Sequence, residues 1–207
     1  LTQPVSDERA RGFKTQQEVN RAVAWINKQS EDKPWMLTLG LSAIHEPVQQ
    51  SPAGLVGSDA PATDAYDCLS NETQRRELAT QMLEAIDHEV GRLLVETKLA
   101  TYNSDGTLNY QPGKTNTYVG FTSDNGTWAS SVREPFDPSR AKGTAYQTGV
   151  WVPLIIAGPN VSSPDREVDH LVNLTDLFTF FGEVADLDVR TEVPDYRELD
   201  SSRLMPY

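Results

Sequence analysis

The chain has 207 residues, a formal charge of −12 and one cysteine, Cys68. That length is enough for one domain with a core. The acidic balance, with no basic run and no basic–aromatic stripe, argues against nucleic acid as a partner, and no apolar run approaches the roughly 18 residues of a membrane span.

A single cysteine makes no internal disulfide and leaves the redox compartment open. The chain opens at Leu1 with no Met and no signal-peptide pattern, so the expectation is an excised segment.

Residues 15–29 read as a helix. Thr15 and Glu18 have the spacing of a capping box, and Val19, Ala22, Val23 and Ile26 share one face. Pro34 then turns the chain into Trp35-Met36-Leu37-Thr38-Leu39-Gly40-Leu41, a candidate buried strand. It runs into a loop, Ser42-Ala43-Ile44-His45-Glu46-Pro47, which carries one of three histidines. Residues 48–70 read as loop.

Asn71 and Gln74 form a second capping pattern, opening a helix that extends to about Thr97. Leu78, Met82, Ile86, Val90, Leu93 and Leu94 make its apolar stripe, and Gly91 inside it marks close packing or a bend. Residues 101–115 read as a connection.

Tyr118, Val119 and Phe121 favour a buried strand, which stops at Asp124-Asn125-Gly126. On its own Asp-Asn-Gly is first of all a turn. At a strand end, however, a carboxylate beside an amide oxygen also suits a hard cation such as Ca²⁺ or Mg²⁺. A long polar loop follows over 126–145, with Trp128, Arg133 and Arg140 able to line a site. Residues 151–157 form another strand, and Leu174, Leu177, Phe178 and Phe181 a short buried helix. Strands alternating with helices argue an α/β fold with a largely parallel sheet covered on both faces.

Taken in order, these segments resemble the later part of the catalytic domain of a sulfatase, in the alkaline phosphatase superfamily. Pro34-Trp35-Met36-Leu37 through His45-Glu46-Pro47 resembles the family's strand leading to a His-x-Pro loop. Ile86-Asp87-His88-Glu89-Val90-Gly91 resembles its Leu-Asp-x-x-Val-Gly helix. Thr122-Ser123-Asp124-Asn125-Gly126 resembles its metal-binding strand end. Lys142-Gly143 with Tyr146, Gly149, Val152 and Pro153 resembles its Lys-Gly-x-x-Tyr-x-x-Gly-x-x-Val-Pro signature, and Asp176-Leu177, Leu199-Asp200 and Leu204-Met205-Pro206 fit the end of that domain. Gln147, Thr148 and Trp151 depart from the usual Glu, Gly and Arg. The family's Cys-x-Pro-x-Arg or Ser-x-Pro-x-Arg nucleophile motif is absent, and Cys68, followed by Leu69-Ser70-Asn71-Glu72, reads as an ordinary thiol.

The resemblance implies an alkaline-phosphatase-like α/β fold, incomplete in this chain. Residues 1–185 correspond to the C-terminal part of the catalytic domain and 186–207 to a tail leading towards a missing C-terminal region. It implies a parent enzyme that hydrolyses sulfate monoesters with a divalent metal, Ca²⁺ first and Mg²⁺ or Mn²⁺ as alternatives. The family's nucleophile is an aldehyde hydrate made from Cys or Ser.

Asp124 and Asn125 would be metal ligands. Lys142 would hold the sulfate and the bridging oxygen, and His45 would contact the ester oxygen and protonate the leaving group. His88 and His170 read as structural. Partners would be the sulfate ester and the missing N-terminal half of the domain; this chain alone would be inactive.

The same resemblance implies a periplasmic or secreted location. Asn-x-Ser/Thr matches such as those at Asn71, Asn160 and Asn173 add little to that. Two readings compete: a phosphodiesterase or phosphonate hydrolase of the same superfamily, and a non-catalytic sulfatase-like binding module.

Overall fold

A computed structural model describes residues 12–60 and 71–207. Cys68 and part of the expected 48–70 loop lie outside the described residues.

Helix α1 spans Lys14–Ile26 and buries Val19, Ala22 and Val23, as its periodicity predicts. The expected Thr15–Glu18 capping box does not form. Phe13 is the N-cap residue without a side-chain cap, and Thr15 sits inside the helix, 1% exposed. Phe13 belongs to the buried core cluster, so its packing, and not a polar cap, sets where the helix begins.

Helix α2, Glu72–Glu96, carries the core. Its capping box forms as expected: Asn71 Oδ1 accepts from Gln74 N at 3.1 Å, and Gln74 Oε1 accepts from Asn71 N at 3.1 Å. Leu78, Ala79, Met82 and Ala85 pack with Phe13, Val48 and Leu55, and Ala43, Ile44 and Trp128 rest against this cluster. Full burial of a residue such as Leu78 or Met82 contributes about 1.5–3 kcal/mol.

Near the other end of α2, Glu89 is completely buried and bound by Arg92. Arg92 Nε lies 3.1 Å from both carboxylate oxygens and Nη2 2.5 Å from Oε2, while Nη2 also donates to Asn20 on α1. Hydrogen bonding to Glu89 is the largest cause raising the Arg92 pKa above its already high ordinary value. This network and the bond from Asn27 Nδ2 to Glu96 O hold α1 on α2.

The sheet differs from expectation. Among the described residues there are two two-stranded antiparallel sheets and no parallel pair. Strands β1, Ala100–Tyr102, and β2, Leu108–Tyr110, make a hairpin where a plain connection is expected. Strand β3, Val119–Thr122, pairs with β4, Leu154–Ala157, with Thr122 opposite Leu154 and Val119 opposite Ala157. The connection between β3 and β4 holds only 3₁₀ turns and one helical turn, α3, Gln147–Val150. It leaves and re-enters at the same end of the sheet, so it lacks the crossover that a parallel pair needs.

The run 35–41 is extended but forms no strand, and Trp35, Met36 and Leu37 are exposed. A strand requires a ladder partner, and no strand among the described residues pairs with this segment.

Helix α4, Asp176–Val184, buries Asp176, Thr179 and Phe180. Phe178, expected on a buried stripe, is 57% exposed. The residues beyond 186 do not trail away. Helix α5, Val189–Glu192, buries Val189, and the 200–204 segment returns to α4. There Asp176 accepts from Ser202 N at 2.6 Å and from Asn173 N at 2.8 Å, Thr175 Oγ1 donates to Asp200 O at 2.8 Å, and Leu204 is buried.

Removing Arg92 would leave Glu89 buried without its partner. Arg92→Ala is expected to destabilise the fold by roughly 3–5 kcal/mol, and Glu96→Ala, at an exposed pair, by about 0–1 kcal/mol. Urea denaturation of the two variants would check the ranking.

Candidate functional site

The loop after residue 41 begins at Ser42, and its turn closes through His45 N donating to Ser42 O at 2.9 Å. Glu18, from α1, accepts from Ser42 N at 3.1 Å and from Ser42 Oγ at 2.5 Å. Ala43 and Ile44 pack on the α2 core, which leaves His45 exposed at the loop tip. The His45 Nδ1 lies 2.8 Å from the Glu46 carbonyl oxygen. A carbonyl only accepts, so Nδ1 carries the hydrogen, and Nε2 is the nitrogen free to exchange a proton with a ligand.

The second loop starts where β3 ends. Thr122 Oγ1 donates to Pro153 O at 2.8 Å and Ser123 Oγ to Asn125 O at 3.0 Å. Asn125 Nδ2 donates to Gly126 O at 3.0 Å, which turns Oδ1 away as the acceptor left for a ligand. Asp124 is exposed beside it.

Trp128 then packs against the α2 core, with the Arg75 guanidinium 5.8 Å from its ring centre. Arg75 also reaches Glu46 at 3.5 Å, Arg76 Nε donates to Ser130 O at 2.6 Å, and Ser130 Oγ donates to Glu72 at 3.1 Å. The first turns of α2 therefore hold both loops.

Lys142 is tied to the strand end through its backbone, its N donating to Thr127 O at 2.8 Å. The α3 turn closes the same knot, with Gly126 N donating to Gly149 O at 3.1 Å and Thr127 N to Thr148 O at 2.8 Å. Backbones approach so closely here that side chains do not fit. A Cβ on Gly126 would stand 2.3 Å from the Gly149 carbonyl carbon, and one on Gly149 would stand 2.3 Å from Thr144 O. Gly143, next to Lys142, has φ 93°, where glycine is favoured. Lys142 is exposed, and its ammonium forms no ion pair among the described residues.

His45, Asp124, Asn125 and Lys142 all line one open concavity, with Trp128, Arg133 and Trp151 at its wall. Arg140 lies outside it, stacked at 4.5 Å on Tyr146 and paired with Asp137. His88 is exposed on α2, and His170 stacks on Tyr207 at 3.8 Å.

The volume, about 3410 Å³, is several times that of a small-molecule pocket. Much of the lining is apolar and comes from structural elements: Ile86, Val90 and Leu93 of α2, Phe121 of β3, Leu177 and Phe178 of α4, and the extended run 35–41.

A model of the sulfatase family, described as "Sulfatase", matches residues 5–187. The chain belongs to the sulfatase family. That family carries an alkaline-phosphatase-like α/β fold, of which the described residues show the helices and two small antiparallel sheets.

Among curated proteins, an arylsulfatase K from Xenopus laevis is 25% identical over 206 residues, covering 86% of this chain and 37% of that protein. A sulfatase from Formosa agariphila is 34% identical over 125 residues, covering 59% of this chain and 21% of that protein. A 2,3-bisphosphoglycerate-independent phosphoglycerate mutase from Mycoplasmoides gallisepticum is 35% identical over 99 residues, covering 48% of this chain and 16% of that protein. The chain thus spans well under half the length of each.

The glycine contact gives a direct test of how this sulfatase-family strand end is built. Gly149→Ala and Gly126→Ala are each expected to cost about 1–3 kcal/mol or more, because backbone must move to admit the methyl group. Gly113→Ala, with open space around it, should stay within about 0.5 kcal/mol. Denaturation midpoints of the three variants would check this.

Proposed function

We propose that the chain is the second half of the catalytic domain of a sulfatase that hydrolyses sulfate monoesters with a divalent metal. One observation carries the reading. In a chain matched over residues 5–187 by the sulfatase family, His45, Asp124, Asn125 and Lys142 line the same concavity.

An exposed carboxylate and an oriented amide oxygen are hard ligands of the kind Ca²⁺ and Mg²⁺ take. They fit in kind but are too few, since Ca²⁺ takes about six to eight oxygens. Among the described residues no group of three His, Cys, Asp or Glu side chains gathers that could hold a metal. Asp124 and Asn125 would therefore hold the cation together with ligands from outside this chain. When bound, it would offset the negative charge of the sulfate oxygens.

This chain's own side chains would bind the anion and protonate the leaving oxygen. The Lys142 ammonium, a compact charge, suits a tetrahedral anion and the charge growing on the bridging oxygen. As the sulfur–oxygen bond of the ester breaks, His45 in its imidazolium form gives the Nε2 proton to the departing oxygen. Its Nδ1–H stays on Glu46 O throughout, which fixes the ring. The nucleophile would come from the upstream half of the domain.

That half would fill the concavity and pair with the extended run 35–41, covering Trp35, Met36, Leu37 and Phe178. A location in the periplasm or outside the cell belongs to the same reading. Among the described residues no helix is long and apolar enough to cross a membrane.

A second reading, phosphoryl chemistry in place of sulfuryl chemistry, is favoured by the match to a phosphoglycerate mutase. A full-length protein assayed on matched aryl sulfate and aryl phosphate esters would decide between them. The proposal expects turnover of the sulfate ester, its loss by about 10²-fold or more in Asp124→Ala, and its loss on chelation with recovery on adding Ca²⁺ or Mg²⁺. Preference for the phosphate ester would favour the second reading. A metal-loaded full-length protein inert on both would leave a binding module.

A further inference from the structure

We infer that Glu18 is the positioning residue for His45. The inference rests on the proposed function only in taking His45 as the proton donor to the leaving oxygen.

The ring of His45 is held by one local bond, from Nδ1 to the neighbouring Glu46 carbonyl, while the loop that carries it has little to hold it. The His45 side chain is exposed, and it follows an extended segment that pairs with no strand among the described residues. The fixed point is three residues earlier. Ser42 presents two donors, its backbone N–H and its hydroxyl, to the two oxygens of one carboxylate, at 3.1 Å to Glu18 Oε2 and 2.5 Å to Oε1. Hydrogen bonds to an ionised acceptor are about twice as strong as neutral ones. The Ser42 carbonyl then accepts from His45 N at 2.9 Å. The path from carboxylate to imidazole is therefore Glu18, Ser42, the turn, His45, with Ile44 seated on the α2 core beside it.

Glu18 is anchored in turn. It stands on α1 between the buried Thr15 and Val19, its side chain is 19% exposed, and Lys14 Nζ lies 3.8 Å away. A carboxylate that only stabilised its own helix would cap the helix start. Glu18 caps nothing, because Phe13 occupies the N-cap position without a side-chain bond. Its two bonds go across 24 residues to the loop that carries the imidazole. Arg75 adds a weaker support from the other side, 3.5 Å from Glu46.

The test uses the full-length protein, with Glu18→Ala, Glu18→Gln, Ser42→Ala and His45→Ala. Two ester substrates are compared, an activated aryl sulfate and an alkyl sulfate. Protonation of the leaving oxygen matters little for the first and much for the second. Misplacing the imidazole should lower kcat/KM on the alkyl sulfate by about 10- to 100-fold and on the aryl sulfate by less than about 3-fold. Glu18→Ala should show that asymmetry, as His45→Ala does, and Ser42→Ala a smaller form of it.

Gln offers the Ser42 amide an oxygen and the Ser42 hydroxyl a donor, so Glu18→Gln should stay near wild type. The second readout needs no turnover. With ¹⁵N-labelled histidine, and the His45 ring assigned by its loss in His45→Ala, the Nδ1–H tautomer should dominate in wild type. It should give way to averaged ring shifts in Glu18→Ala, with the other histidines unmoved.

Equal loss on both esters, unmoved His45 ring resonances in Glu18→Ala, or a Gln variant as impaired as Ala would each overturn the inference. If wild type turns over no sulfate ester, the proposed function falls, and the ring resonances alone decide whether Glu18 positions His45.

Discussion

Both loops that carry candidate site residues rest on the first turns of α2. Leu78 and Met82 are buried at its centre, and Ile44 of one loop and Trp128 of the other lie against the cluster they form. Polar contacts sharpen the seat, with Arg75 reaching Glu46 on one side and Arg76 holding the Ser130 carbonyl on the other. His45 follows Ile44, and Asn125 precedes Trp128 by three residues, so the packing of one helix sets where both stand. An interior packed like a crystal transmits a shift, and a cavity left at Leu78 would be felt at both loop tips.

The second constraint is the contact between backbones at Gly126 and Gly149. It pulls the α3 turn against the strand end, and the bond from Lys142 N to Thr127 O ties the backbone of Lys142 to the same loop. The chain as a whole carries a charge of −12. Attraction for an anion must therefore be local, from Lys142 and Arg133 at the concavity wall and, under the proposed function, from a cation that Asp124 would help to hold.

Local signals in the sequence carried well. The Asn71–Gln74 capping box and the stop of β3 before Asp124-Asn125-Gly126 depend on neighbours within a few residues and appear as read, while the α2 stripe holds at Leu78, Met82, Ile86 and Leu94 and is only half-buried at Val90 and Leu93. What failed depended on partners far away. The run 35–41 has the composition of a buried strand, yet without a neighbouring ladder it stays extended and exposed, and Phe178 likewise faces an open concavity. The parallel sheet failed because the β3–β4 connection returns to the end it left. Glu18 was legible as a carboxylate near a helix start. Its partner is 24 residues on, and no local pattern points there. The motif order along the chain identified the family, while the geometry around His45 became visible only with both loops seated on α2.

Under the proposed function, one cation and one tetrahedral anion would share the concavity between these loops. Diffraction from crystals of the full-length protein, with Ca²⁺ and a sulfate ester bound and the cation located by its anomalous signal, tests it most directly. Asp124 and Asn125 are both expected within about 2.3–2.6 Å of one cation, with Lys142 Nζ and His45 Nε2 each within hydrogen-bond distance of the same sulfate group. A cation bound away from Asp124, or a sulfate group that neither Lys142 nor His45 touches, would contradict it.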